Sequence, residues 1–460
     1  LNGGSDLLFR NSKRRVLVLA AGLAAAALVL AGCATGDASS DGSSTGNGSD
    51  GSGESEITEP VDLSWLVDNS EATVAMANAM VDAFKEIEPN ITITIETREG
   101  GAPGDNLVKT RLATGEMNDL LQYNTGSLFQ AINPSDTLVP ITNESLAGAI
   151  NESFASTVTA GGDVFGVPIG TAMGGGILYN KKVYADLGLT VPVTWDEFMA
   201  NNAAIKAAGI DPVIQTYADT WTSQLFVLGD YHNVEAAEPG FWERYTNNEA
   251  KYADTPAAAR GFEYLQQLHE LGYYNRDYTT ATFNDGLVQL ANGTGAHYPM
   301  LSFAIASVQE LVPDAVNDIG FFAQPGPSAD TNGLTVWTSA GLYISATSPN
   351  IDAAKKFLAF VATPEACDVQ TAAIGATGPY FIDGCELPDD LVPVVTDMLP
   401  YFERAGGTTP ALEFLSPIKG PALEQITVAV GTGQYTAAEG AQIYDEDVVK
   451  QAQQLGLPGW

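Results

Sequence analysis

Residues 61–95 read VDLSWLVDNSEATVAMANAMVDAFKEIEPNITITI, and this stretch decides the fold class. Val61, Leu63, Trp65 and Val67 recur at every second position, with the polar Asp62 and Ser64 between the first three, and Ile91, Ile93 and Ile95 repeat that period of two with Thr between them. Such alternation turns one face of an extended strand toward a core. Between the two strands, Ser70 is suited to cap a helix whose Val74, Ala77, Val81 and Phe84 recur three and four residues apart, and Pro89 ends it. Strand, helix, strand is a β-α-β unit. The same style continues downstream. Thr194-Trp195-Asp196-Glu197 is a capping box, and Ser348-Pro349 places proline at the first turn of a helix carrying Ile351, Ala354, Leu358 and Val361. The fold class expected is α/β, with open, largely parallel sheets flanked by helices and ligands held in crevices at the carboxyl ends of strands.

Upstream, a basic cluster (Lys13, Arg14, Arg15) precedes the apolar run Val16 to Ala31 and then Leu30-Ala31-Gly32-Cys33. The run falls short of the about 20 apolar residues a spanning helix needs, and its charged start and small-residue exit read as a cleaved export signal. A short membrane anchor that is never cut is the alternative. Leu-Ala-Gly-Cys resembles a lipobox, the site where bacterial lipoproteins are lipidated on Cys and cut just before it. That resemblance implies a signal peptide over residues 1–32, lipid on Cys33, and attachment to the outer face of the cell membrane. Residues 34–60 are almost entirely Ser, Gly, Asp, Thr and Asn, a composition that cannot bury enough surface to fold. We read residues 33–60 as the lipidated Cys and a flexible stalk. The Gly-x-Ser-x-Gly and Gly-x-Gly-x-x-Gly strings within it (42–46 and 46–51) follow no strand and open no helix, so they are accidents.

Some 400 residues remain, which as a prior means two or three domains. The chain carries 56 Asp plus Glu against 20 Lys plus Arg. A surface that acidic makes nucleic acid and anionic head groups poor partners. Outside Cys33 the cysteines are Cys367 and Cys385, an even pair that an oxidising compartment would bridge; two unpaired thiols are the alternative. The histidines, His232, His269 and His297, are scattered singly and suggest no metal site or cofactor.

The order of further segments resembles the extracellular solute-binding proteins of sugar ABC transporters, the family that includes maltose-binding protein. The segments that carry it include Lys109 to Leu121, with Asn118 where the family usually has Pro, Leu138 to Ile141, and Val164 to Pro168. This last segment together with Ile177 to Lys182, Gly188-Leu189 and Pro192 to Phe198 forms the most diagnostic string. Phe283 with Gly293 to Ala296, Asp318 to Phe321 with Pro325-Gly326, Ser339 to Gly341, and Ser348 to Leu358 complete it. The resemblance implies two α/β lobes, each a doubly wound sheet flanked by helices, joined by two or three crossing segments with the ligand between them. Carried over, lobe one is 61–171 plus 328–382, and lobe two with the hinges is 172–327 plus 383–460. Hinges are then expected near 172–175, 322–327 and 382–384. Gly174-Gly175-Gly176 suits the first, since glycine absorbs φ/ψ change at little steric cost, though a structural Gly-rich turn accounts for it equally.

A sugar ring has one apolar face and a rim of hydroxyls, so its site needs aromatic platforms and planar hydrogen-bonding groups. Trp221, in Tyr217-Ala218-Asp219-Thr220-Trp221, resembles the family's aromatic wall, with Asp219 beside it as a hydroxyl acceptor or a helix cap. Tyr123 and Asn124 follow the strand Leu120-Leu121 at the mouth of lobe one; Asp68 and Asn69 end the first strand at the same mouth, unless they merely shape a turn. Trp337 lies by a hinge-proximal strand. Met300 and Ser302 stand where many relatives carry a cleft residue, often Trp, and Glu413 with Phe414 resemble a late lobe-two contact. Tyr179 and Trp195 read as core. The functional expectation is capture of an extracellular sugar or oligosaccharide and delivery to the permease subunits of an ABC transporter, by a monomer and without catalysis. A binder of peptides or polyamines and a secreted lipoprotein carbohydrase are the alternatives.

Overall fold

The computed structural model describes residues 57–460; the expected signal peptide, Cys33 and all but the end of the expected stalk lie outside the described residues. The chain opens as its alternation requires, with β1 (Val61–Asp68), α1 (Glu71–Ile87) and β2 (Ile91–Arg98), the two strands parallel and Trp65 opposite Ile95. Ser70 Oγ accepts the Thr73 N–H, and α1 buries Ala72, Met76, Ala77, Met80 and Phe84. Val74 and Val81, read as core positions, are only half-buried at the edge of that stripe. The helix stops at Ile87 because Pro89 restricts Glu88 away from helical geometry. Then follow α2 (Gly101–Thr114), β3 (Leu120–Tyr123), a ribbon of β4 (Thr159–Ala160) and β5 (Asp163–Val164), β6 (Gly166–Ile169) and β7 (Met173–Asn180). Beyond them are β8 (Asp211–Val213), β9 (Gly295–Leu301), β10 (Ile319–Ala323), β11 (Leu334–Trp337), β12 (Ala340–Ile344) and β13 (Thr408–Pro410).

The strands form two large sheets, one per lobe. The first has the order β2-β1-β3-β12-β6, and the second β13-β11-β7-β9-β8 with β10 also on β7. Both are mixed rather than largely parallel. In the first sheet β1 pairs parallel with β2 and β3, while β12 pairs antiparallel with β3 and β6. The reason is the crossing: β6 runs toward the junction and β12 comes back from it without a crossover helix to reverse its direction. Lobe one has a single core gathered around Trp65, Phe84 and Phe357, whose rings meet 5.2 and 5.1 Å apart. The second sheet is packed on both faces, so β7 sends Ile177 and Tyr179 into one core and Leu178 into the other. A strand buried on both faces explains its apolar run Gly-Gly-Ile-Leu-Tyr.

Chain crossings differ from the expectation in one place. The first crossing is the short link from Ile169 to Met173. The second was expected at 322–327, but β11 stays in the second sheet, pairing antiparallel with Met173–Gly175 of β7, on the edge that β10 occupies further along. The chain therefore crosses at Thr338-Ser339, and residues 328–337 belong with lobe two. The third crossing follows Ile382, which bridges Ile150 of lobe one, and precedes the helix Pro393–Glu403, which packs on β10. Cys367, in the helix Pro364–Ile374, is disulfide-bonded to Cys385 at the lobe-one end of this third crossing.

Gly174, Gly175 and Gly176 lie inside β7, and their φ angles are negative. Their requirement is space rather than hinge freedom. A Cβ on Gly175 would stand 2.2 Å from Trp337 Cζ3, one on Gly174 2.6 Å from Met398 Sδ, and one on Gly176 2.4 Å from Phe322 O. Two further expectations are settled locally. Thr194 and Glu197 form a reciprocal capping box before the helix Trp195–Ala207. Pro349 precedes its helix instead of opening it, since that helix runs Ile351–Val361 behind Asn350.

Candidate ligand-binding cleft

The carboxyl ends of β1, β2, β3 and β6 face the second lobe across a cleft of about 800 Å³, a size suited to a small organic ligand. Lobe one supplies a polar wall. Asp68 ends β1 with Asn69 just after it, Arg98 ends β2, and Gln122 and Asn124 flank Tyr123, the last residue of β3. The Asp68 carboxyl accepts the Ser70 N–H and the Thr73 hydroxyl, both at 2.9 Å, so it holds the turn into α1 while lining the mouth. Asn124 is exposed to the cleft. The Arg98 guanidinium donates to Glu99 O at 3.1 Å and Gln122 O at 3.4 Å, lies 5.7 Å from the Tyr123 ring, and leaves its Nε without a partner among the described residues. Asp105 lines the cleft from α2, and burial raises its carboxyl against the pull of Arg98, Lys109 and Lys419.

Lobe two supplies an aromatic wall. Trp221 is half-buried, with its ring 5.3 Å from Phe283 and 6.2 Å from Phe303, and both neighbours line the cleft. Asp219, which lines the cleft, accepts the backbone N–H of Phe283 at 2.6 Å, which fixes the start of the helix Phe283–Asn292. Trp337, last in β11, packs over Gly175 and donates its indole N–H to Glu413 Oε1. The other Glu413 oxygen lies 3.2 Å from Lys419 Nζ. Phe414 stands next to it on the short helix Leu412–Leu415.

Of the eleven candidate contacts, Asp68, Asn69, Asn124, Asp219, Trp221, Trp337, Glu413 and Phe414 line this cleft. Tyr123, Met300 and Ser302 do not, and each is corrected for a physical reason. Consecutive strand residues point to opposite faces, so with Gln122 and Asn124 at the cleft Tyr123 turns inward and is fully buried in the lobe-one core. The same alternation puts Leu301 at the cleft and buries Met300 in a lobe-two core. Ser302 Oγ accepts the Gly174 N–H and donates to Thr377 O, both at 3.1 Å, so it ties crossing segments together. Sequence reading missed Arg98, Gln122, Phe283, Phe303 and Glu424. Period-two alternation from Asn124 would have found Gln122; no local signal marks Glu424, which reaches the cleft from 322 residues beyond its partner Ala102. Among the described residues no group of His, Cys, Asp and Glu gathers as a metal site.

Aromatic rings and polar groups face one another at the junction of two α/β lobes, and comparison with known proteins places the chain in a family. Residues 69–366 match the family described as bacterial extracellular solute-binding protein. The chain belongs to this family. This solute-binding protein is 27% identical over 269 residues to the multiple sugar-binding protein of Streptococcus mutans, an alignment covering 56% of this chain and 62% of that one. It is 26% identical over 184 residues to the diacetylchitobiose binding protein DasA of Streptomyces coelicolor, covering 40% and 41%. The chain thus spans less than two thirds of the length of these curated relatives. Among solved structures it superposes on a chitin oligosaccharide binding protein with a TM-score of 0.74 at 22% identity, covering 86% of this chain and 99% of that one. The solute-binding protein RafE in complex with raffinose gives 0.69 at 21% identity, again covering 86% and 99%. At these identities the superpositions establish the two-lobed fold.

Proposed function

We propose that this solute-binding protein captures an extracellular oligosaccharide between its lobes and hands it to an ABC-type permease as the lobes close. The observation that carries the reading is a cleft that sets aromatic rings (Trp221, Phe283, Trp337), with acids among them, opposite polar strand ends (Asn69, Gln122, Asn124). A pyranose ring presents an apolar face to the first and hydroxyls to the second, and it satisfies both only when the lobes are together. Ligand then favours the closed state by its differential affinity for that state. The names of the relatives, which mention sugars, diacetylchitobiose and raffinose, support the same class. Asp68, Asn69, Asn124, Asp219, Trp221, Trp337, Glu413 and Phe414 are the proposed contacts.

The protein acts as a binder and a monomer in this reading, outside the cytoplasm, on a lipid tether at Cys33. Among the described residues no helix is long and apolar enough to cross a membrane, and attachment through Cys33 requires none. Titration of tryptophan fluorescence with raffinose, stachyose and diacetylchitobiose tests the function. Saturable change with no release of reducing ends is the expected result. Release of reducing ends would establish a carbohydrase, and saturation by peptides or polyamines but by no sugar would move the ligand class.

A further inference from the structure

The helix α2 begins beside the cleft without a cap of its own. Its N-cap position is Gly100, which has no side chain to accept a helix N–H, and a 14-residue helix leaves its first amides unsatisfied unless something else reaches them. Something does, from the opposite lobe. Glu424 of the helix Leu423–Gly431 places Oε2 at 3.4 Å from the Ala102 N–H, and the same oxygen accepts the Thr220 hydroxyl at 2.6 Å. Glu424 is buried, 9% exposed, and its backbone is tied to Ser223. The lobe-one turn is shaped for this approach. Gly101 has φ +67°, and a Cβ there would come within 3.2 Å of both Glu424 Oε2 and Trp221 Cβ.

We infer that Glu424 is a closure latch: a lobe-two carboxyl that supplies the missing N-terminal cap of lobe-one helix α2 when the lobes meet, with Thr220 holding it in position. A carboxyl group at a helix N-terminus gains both a hydrogen bond and a favourable interaction with the helix dipole. That gain exists only in the closed arrangement, so it adds to the closed side of the equilibrium that ligand binding uses. Glu424 thereby acts as a positioning residue, drawing Trp221 against the Gly100-Gly101 turn, rather than as a sugar contact. The effect on affinity rests on the sugar-binding reading; the latch itself does not.

The test exploits Gly100. Its φ of −73° and ψ of 168° suit a serine N-cap, and a Cβ there meets Trp221 Nε1 no closer than 3.4 Å. Gly100→Ser gives α2 its own cap and makes the latch redundant. In the full chain, Glu424→Ala is expected to weaken binding of raffinose or diacetylchitobiose by about fivefold with thermal unfolding close to wild type, and Glu424→Gln by less. In the Gly100→Ser background the same Glu424→Ala change is expected to have a clearly smaller effect, as coupled groups require. An equal loss in both backgrounds would make Glu424 a direct contact and overturn the latch. Hydrogen exchange at the Ala102 amide, measured without sugar and with saturating raffinose or diacetylchitobiose, separates this idea from the sugar reading. Faster exchange in Glu424→Ala under either condition supports the latch even if neither sugar binds, and protection unchanged under both overturns it.

Discussion

The indole N–H of Trp337 is bonded to the carboxyl group of Glu413, and Lys419 takes up the second oxygen of that group. One aromatic platform of the cleft is therefore oriented by an acid whose two oxygens are both engaged within its own lobe. Glu413→Ala leaves a buried donor unpaired and the ring free to rotate. We expect a loss of roughly 1–3 kcal/mol in stability, read by urea denaturation, and weaker sugar binding by calorimetry. Combined with Trp337→Ala the binding losses should fall short of their sum, because Glu413 acts in part through the ring; full additivity would mean that the orientation of Trp337 does not depend on Glu413.

Trp221 is packed on one side against Phe283 and Phe303 and open to the cleft on the other. Trp221→Ala should cost roughly 1–3 kcal/mol of sugar binding through lost stacking, with the fold retained by circular dichroism. Unfolding of the variant with no change in residual affinity would place the residue in the core.

The Cys367–Cys385 bond closes a loop with a sequence separation of 18 around the third crossing. Replacing both cysteines by serine should lower stability by roughly 3 kcal/mol in the chain-entropy model. Alkylation of the unfolded chain before reduction should leave both unlabelled, and quantitative labelling without reductant would contradict the bond.

His297 is fully buried, and burial depresses its ring to about 3. Its two nitrogens are used by neutral partners, Nε2 with the Tyr184 hydroxyl at 2.7 Å and Nδ1 with Asn202 Oδ1 at 2.9 Å. In the unfolded chain the ring takes up a proton below about 6.5, while the folded protein refuses it down to about 3. The unfolded state binds more protons across that window, so stability falls as pH drops from about 6.5 to about 3, by up to roughly 1.4 kcal/mol per pH unit from this residue. Denaturation midpoints at pH 4, 5, 6 and 7 check it, since His297→Gln should flatten that slope whatever its cost at pH 7.

Lipidation at Cys33 is tested in cells. Cys33→Ser should leave an uncleaved or released precursor, and mass spectrometry showing normal processing of the variant would refute the anchor.

What the sequence made legible was local. The strands at 61–68 and 91–98, the Ser70 cap and the Thr194 capping box each depend on neighbours a few residues away, and each is present, although the alternation in the first strand breaks at Leu66, which is buried as fully as Trp65 and Val67. Strand β11 was misassigned because its lobe is decided by pairing with Met173–Gly175, far off in the chain. Within the cleft, Trp221 and Asp219 were visible as an aromatic and an acid in a loop before a helical turn. Tyr123 was misplaced for want of applying the period of two to the very pair in which it sits. Phe283 and Glu424 become wall residues only once two sheets face each other, and no spacing in the sequence encodes that meeting.

The position of β12 between β3 and β6 governs how this chain must be made. Its residues, Ala340–Ile344, complete the first sheet between strands that end at Tyr123 and begin at Gly166. A ribosome working from the amino terminus has delivered the whole stretch from Val61 to Ser339 before that gap can be filled. The early β-α-β segment emerges with unpaired strand edges and waits for a distant partner, so it cannot mature as an autonomous unit during synthesis. Truncated products ending anywhere before Ala340 should be recovered as unfolded or aggregated material.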